Sequence, residues 1–111
     1  MITLPYKPEV QRITQADKII SLGCEYFKVT YEDLKSKCRE RELTDKRHMI
    51  MMLIKDRTRE TLKAIGKRFN RGHSVVSRTV VCVLNRCHTE EAYNETYTGL
   101  KDYVTDNLKA I

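Results

Sequence analysis

The stretch LKAIGKRFNRGHSVVSRTVVCVLNRC, from Leu62 to Cys87, decides the fold. Its opening places Leu62, Ile65 and Phe69 at three- and four-residue steps, the period of one helical face. Thr61 stands just before them, where a hydroxyl can accept from an amide of the first turn. Asn70-Arg71-Gly72 then breaks the rhythm as a turn. Beyond it Val76, Val80, Val83, Leu84 and Cys87 recur with helical spacing. His73, Ser74, Ser77 and Arg78 take the opposite side, and Val75 lies between the two sets. The β-branched run from Val75 to Val83 invites a strand, but strict alternation fails where Val75 meets Val76 and Val80 meets Val81. The reading is a helix over 62–69, a tight turn, and a longer helix over 73–87 with a polar first turn. That is a helix-turn-helix over about 62–87.

Outward from this unit the pattern stays helical. Ile13, Ala16, Ile19, Ile20, Cys24 and Phe27 mark a first helix over 11–27. Gly23 inside it costs about 1 kcal/mol relative to Ala, a cost that close packing can offset. Thr30 caps a second helix over 31–37, with Asp33 placed as the reciprocal member of a capping box and Tyr31 and Leu34 toward the core. Residues 36–42 interrupt the apolar rhythm and read as a basic connection, a helix extension being the alternative. Thr44 caps a third helix over 45–57. Met49, Met52, Leu53 and Asp56 share one side of it, and Ile50, Met51 and Ile54 broaden its apolar surface, so it should be central. The methionines read as core filling rather than as a metal or cofactor feature. Thr89 caps a final helix over 90–109 carried by Tyr93, Tyr97, Leu100, Val104 and Leu108. Pro5 and Pro8 mark residues 1–10 as a loose arm, leaving 11–111 as one all-α domain, a small helical bundle.

A chain of 111 residues suits one domain with one modest core. It has no room for a nucleotide-hydrolysing module and a second domain. No apolar stretch reaches the length that spans a bilayer, and the N-terminal MITLPYKPEV lacks the layout of a secretion signal. Cys24, Cys38, Cys82 and Cys87 are irregularly spaced and do not require disulfides, so a reducing cytoplasm is the default.

The charge is uneven. Residues 35–86 carry 15 basic and 5 acidic side chains, net +10, while 1–34 are net −1 and 87–111 net −3, within an overall +6. Such a middle can focus a polyanion onto one face, although a solvated Lys/Arg surface reads the same way. The helix-turn-helix gives the polyanion a geometry: its second helix can enter a major groove with its first residues against base edges. Arg71 offers a five-donor fork, His73 and Ser74 can donate or accept, Val75 can bury a thymine methyl, and Arg78 lies one turn beyond Ser74. Lys37, Arg39, Arg41, Arg47, His48, Lys55, Lys63, Lys67 and Arg68 could line the backbone on either side, most such contacts positioning the duplex. Taken alone this is a weak signal, since many helical hairpins bind nothing and His73 could be a polar helix-start residue. Cys82 and Cys87 are spaced too far along one helix to suit a zinc ion, and no acid is placed to orient a catalytic histidine. Neither a metal, a cofactor nor catalysis is expected.

Three segments in order, YFKVTYEDLKSKCRERELTDKRHMIMMLIK (26–55), LKAIGKRF (62–69) and RGHSVVSRTV (71–80), carry a family likeness. From about Asp17 to Cys87 the chain resembles the C-terminal duplex-DNA-binding domain of bacterial replication initiators of the DnaA family. The resemblance implies a Trp-repressor-like bundle with a short helix, a basic loop, a long central helix and a helix-turn-helix. It implies that Arg39 enters the minor groove, that Arg47 and its polar neighbour His48 contact DNA, and that Lys55 contacts phosphate. It further implies that Arg71 reads a base and that His73 and Ser74 read the major groove, with Val75 where the family usually has threonine. The turn departs from the pattern. It is one residue short, and Gly72 replaces an aspartate that would cap the helix and accept from cytosine N4. These departures bear on the recognition sequence more than on the mode of binding.

No Gly-rich phosphate loop is present, and the family's ATPase and oligomerisation domains are missing. A free-standing domain or a piece of a larger protein is therefore expected, unable by itself to assemble on an origin or open it. The expected partner is double-stranded DNA, with no membrane and no small-molecule substrate. The domain is expected to be a monomer in isolation, a protein partner remaining open, in the cytoplasm with the nucleoid. The implied role is in replication initiation or its regulation. The alternative is a non-catalytic protein-interaction adaptor that kept the fold and lost DNA specificity.

Overall fold

A computed structural model describes residues 15–37 and 40–110 of the chain. The expected arm at 1–10, the first turn of the first helix, Cys38 and Arg39 lie outside the described residues. Six helices follow one another: α1 Gln15–Phe27, α2 Tyr31–Lys35, α3 Arg41–Arg57, α4 Leu62–Arg68, α5 His73–Thr89 and α6 Glu91–Ala110. Among the described residues there is no strand, and the expected all-helical bundle is what forms.

Two caps act as the sequence implies. The Thr30 hydroxyl accepts from the Asp33 amide at 3.0 Å and the Asp33 carboxylate accepts from the Thr30 amide at 3.3 Å, a complete capping box. The Thr61 hydroxyl accepts from the Ala64 amide at 3.1 Å. Two other expected caps do not form. The Thr44 amide donates to Glu40 O at 2.9 Å, so Thr44 lies inside α3, which begins at Arg41. Arg and Glu are good helix formers, and nothing in Arg41-Glu42 stops the helix extending backward. The expected connection therefore holds at Ser36, Lys37 and Glu40, which are non-helical, the extension applies only to Arg41 and Glu42, and α2 ends at Lys35 rather than 37. Thr89 likewise closes α5, its hydroxyl donating to Asn85 O at 3.0 Å, and α6 starts after Glu90 alone.

The six consecutive residues Met49–Ile54 of α3 are all buried, which requires neighbours on every side. α1, α2, α4 and α5 supply them. Gly23 explains how closely α1 approaches: a Cβ there would stand 2.8 Å from the Ile50 side chain. Leu34, Ile65, Phe69, Val76 and Val83 complete the core from α2, α4 and α5, while Tyr93, Tyr97, Leu100 and Val104 close it from α6.

Two apolar expectations are corrected. Leu84 is 55% exposed, because the buried seam of α5 runs through Val76, Thr79 and Val83, with Val80 and Cys87 beside it, and Leu84 lies one residue past it. On the inner side the helix instead uses Arg86, whose guanidinium pairs with Asp45 of α3 at 2.7 Å and with Glu90 at 3.0 Å. Its guanidinium also lies 4.0 Å above the Tyr93 ring centre. Tyr31 stays at the surface and donates its hydroxyl to Arg68 O.

Candidate nucleic-acid interface

The corner between α4 and α5 is built by local backbone chemistry. Asn70 takes a left-handed φ of 60°, which asparagine tolerates better than most side chains. The Arg71 amide then reaches back to Gly66 O at 2.8 Å and the Asn70 amide to Lys67 O at 3.3 Å, the paired bonds of a Schellman ending. Gly66 is required by this closure, since a Cβ there would meet Arg71 O at 2.4 Å. Gly72 caps α5 with its carbonyl, which accepts from Val75 N at 3.1 Å and Val76 N at 3.3 Å, but it offers no side chain to the first amides. The turn is thus held against α4, and the start of α5 faces outward.

On that start His73, Ser74, Ser77 and Arg78 are exposed, Val75 is half-buried and Val76 is fully buried. The polar and apolar sides separate as the spacing implies, and a continuous polar surface is left on the first two turns. Such a surface can meet base edges or phosphate, and the first amides of α5 add an anion-favouring field.

Arg71 is not displayed on this surface. Its guanidinium donates to Phe69 O at 2.8 Å and Ser36 O at 2.7 Å, with Asn70 O at 3.3 Å and Lys35 O at 3.4 Å. Arg47 is 4% exposed and donates to Leu34 O at 2.7 Å and Ser36 O at 3.3 Å. The end of α2 leaves carbonyls without helical partners, and two cations satisfy them. The expectation that Arg47 lies on the surface against phosphate is therefore corrected: burial commits its guanidinium to the backbone. Residue type and the family likeness pointed to a DNA contact, whereas the carbonyls that claim it stand 11 and 13 residues away.

Seven of the basic side chains between 35 and 86 are exposed and outside the ion pairs of the described residues: Lys37, Arg41, Lys55, Arg59, Lys63, Lys67 and Arg78. Lys67 lies in the last turn of α4 beside the corner and Lys63 in its first turn, Lys37 follows α2, and Lys55 lies in the last turn of α3. Arg41 sits at the opposite end of α5, close enough to Glu90 to help hold that carboxyl below its usual range, after the larger effect of the Arg86 hydrogen bond. Arg59, in the α3–α4 connection, was not singled out from sequence; its neighbours carry no periodic signal. Arg68 pairs with Glu60 at 2.6 Å and Asp17 at 2.5 Å and so acts within the fold.

His48 is half-buried. Burial holds its imidazole below the usual range, and the charges of Arg47, Arg86 and Arg71 push the same way against Asp45. It is a neutral hydrogen-bonding group near neutral pH rather than a fixed cation for phosphate. Among the described residues no group of three His, Cys, Asp or Glu could hold a metal ion, and no helix is long and apolar enough to cross a membrane.

Comparison with known proteins agrees with this geometry. The family profile described as "Bacterial dnaA protein helix-turn-helix" matches residues 16–83. The Chromosomal replication initiator protein DnaA of Oleidesulfovibrio alaskensis is 32% identical over 101 residues, 91% of this chain and 22% of that protein. The protein of the same name from Desulfatibacillum aliphaticivorans is 35% identical over 77 residues, 64% of this chain and 17% of its own length. That of Chlorobaculum tepidum is 44% identical over 54 residues, 48% and 11% respectively. The chain spans about a fifth or less of each of these relatives. With a matching profile across most of its helices and the helix-turn-helix corner in place, this chain belongs to the bacterial DnaA helix-turn-helix family, a family of DNA-binding domains.

Proposed function

We propose that the domain binds double-stranded DNA sequence-specifically by laying the first turns of α5 in the major groove, as a monomer associated with the nucleoid. His73, Ser74 and Arg78 meet base edges, joined by Ser77, and Val75 supplies apolar contact to a thymine methyl. Lys37, Lys63 and Lys67 hold phosphates on either side of the corner, with Lys55 and Arg41 farther along the backbone. The observation that carries this reading is the exposed polar start of α5, raised on a turn locked by Gly66 and Asn70. Likeness to replication initiators supports a role in origin recognition or its regulation.

A second reading is supported by Gly72, by the inward use of Arg71, and by the exposed Val81 and Leu84 on α5. In it the domain is an adaptor that kept the fold and binds protein instead. Selection of duplexes from a randomised pool separates the two. Enrichment of one motif, with retention that falls steeply as salt rises, supports DNA recognition. Recovery of unenriched sequence with little retention at physiological salt supports the adaptor.

A further inference from the structure

We propose that Arg71 is a positioning residue that ties the end of α2 to the helix-turn-helix turn, and thereby sets where Lys37 stands relative to the start of α5. The inference rests on the DNA-binding reading above and deepens it.

The geometry is specific. One guanidinium bridges two parts of the chain: Phe69 O and Asn70 O in the turn, and Ser36 O and Lys35 O at the end of α2. The bridge spans 35 residues of sequence between Arg71 and Ser36. Arg47 holds the same Ser36 carbonyl from the α3 side at 3.3 Å and Leu34 O at 2.7 Å. The Ser36 carbonyl is thus fixed from two directions, and Lys37 is the next residue. A lysine has one point charge and cannot hold four carbonyls spread across a fork, so the charge and the tie can be separated by substitution.

The role has a physical motive. Phosphate contacts fix the register of a protein on a duplex, and they do so only if their spacing from the reading helix is rigid. A base-reading arginine makes its contribution at one base pair. A positioning arginine contributes through residues it does not touch on the DNA, and its loss spreads evenly over the site.

The test has two arms. In the free protein, nuclear magnetic resonance of the unsubstituted chain should show resolved, slowly exchanging Arg71 Nη hydrogens close to Ser36 and Lys37. Arg71→Lys should shift the amides of residues 35–37 and speed their exchange about tenfold while leaving those of residues 79–89 in place. A freely rotating Arg71 guanidinium in the unsubstituted protein overturns the tie, even if the variant does not fold.

In the bound state, the duplex selected from the random pool is titrated with Arg71→Lys, Lys37→Ala and the double variant. Arg71→Lys should weaken binding about tenfold, to a similar degree on every single-base variant of the duplex. In that background Lys37→Ala should add less than a further twofold. Loss confined to one base pair, or multiplicative effects of the two substitutions, overturns positioning. Should the unsubstituted protein prefer no duplex, the DNA reading and this role fall together, and the resonance arm still decides whether the tie exists.

Discussion

Arg47 and Arg71 meet at one oxygen, the carbonyl of Ser36, at 3.3 and 2.7 Å. Two guanidiniums can share an acceptor there because Arg71 also holds carbonyls of the turn and Arg47 holds Leu34 O. Positive charges that would repel in isolation are each neutralised in part by the carbonyl end of α2.

Arg47→Met should therefore act on stability before it acts on binding. It keeps much of the buried stem but strands Leu34 O, and a buried acceptor left without a partner costs about 1–3 kcal/mol. A lower urea midpoint with an unchanged slope is the expected outcome. Unchanged stability with a loss only in DNA binding would return Arg47 to the phosphate role.

Gly66→Ala should damage the corner itself. The added methyl would lie 2.4 Å from Arg71 O, which is backbone held by α4, so the turn must move. Overpacking of this kind costs about 1–3 kcal/mol. Binding should weaken with it on specific and scrambled duplexes alike, because the start of α5 is displaced as a unit. A variant as stable as the original in a urea titration would count against the close approach.

Gly72→Asp should do the reverse. Gly72 has a φ of −81°, open to any residue, and a Cβ there meets nothing within 4 Å. An aspartate can accept from the uncapped amides of α5, favours the helix dipole, and reduces the freedom of the unfolded chain. Together these stabilise by about 0.5–1.5 kcal/mol. The same carboxylate adds an acceptor for cytosine N4, so duplex selection with the variant should enrich cytosine at one position. Stability gained with no change in the selected motif would separate capping from readout.

Acid should weaken the fold in a window belonging to His48. The unfolded chain takes up this proton near pH 6.5, whereas the folded chain takes it up only at lower pH. Stability therefore declines as pH drops through 6.5 and stops responding to this group once the folded imidazole also titrates. His48→Gln should flatten that part of the profile in urea titrations at stepped pH. An identical slope in the variant would place the effect elsewhere.

Lys67→Ala should reduce the slope of log affinity against log salt by about 0.9, the share of one phosphate, on specific and random duplexes alike. A slope that does not change would remove Lys67 from the interface.

The local grammar of this fold was open to reading in the chain. Thr30, Asp33 and Thr61 act through bonds three residues long, Asn70 through its own φ, and the apolar steps of α3 and α5 through helical period. Short-range physics of that kind needs no partner from elsewhere. Thr44 and Thr89 were misread for the same reason. A hydroxyl is competent to cap, but whether the helix has already started depends on neighbours that favour its extension.

The sequence by itself determined that the chain is helical, where the turn between α4 and α5 falls, and that His73, Ser74 and Arg78 share a face away from Val76. The tertiary structure alone decided which cations face outward. Arg47, Arg71, Arg68 and Arg86 are as basic as Lys63 and Lys67, yet carbonyls or carboxylates up to 51 residues away claim them. Charge is a property of a residue, but its availability is set by what packing brings within hydrogen-bond reach. That physical difference separates the positive residues visible in the chain from those left to meet a phosphate.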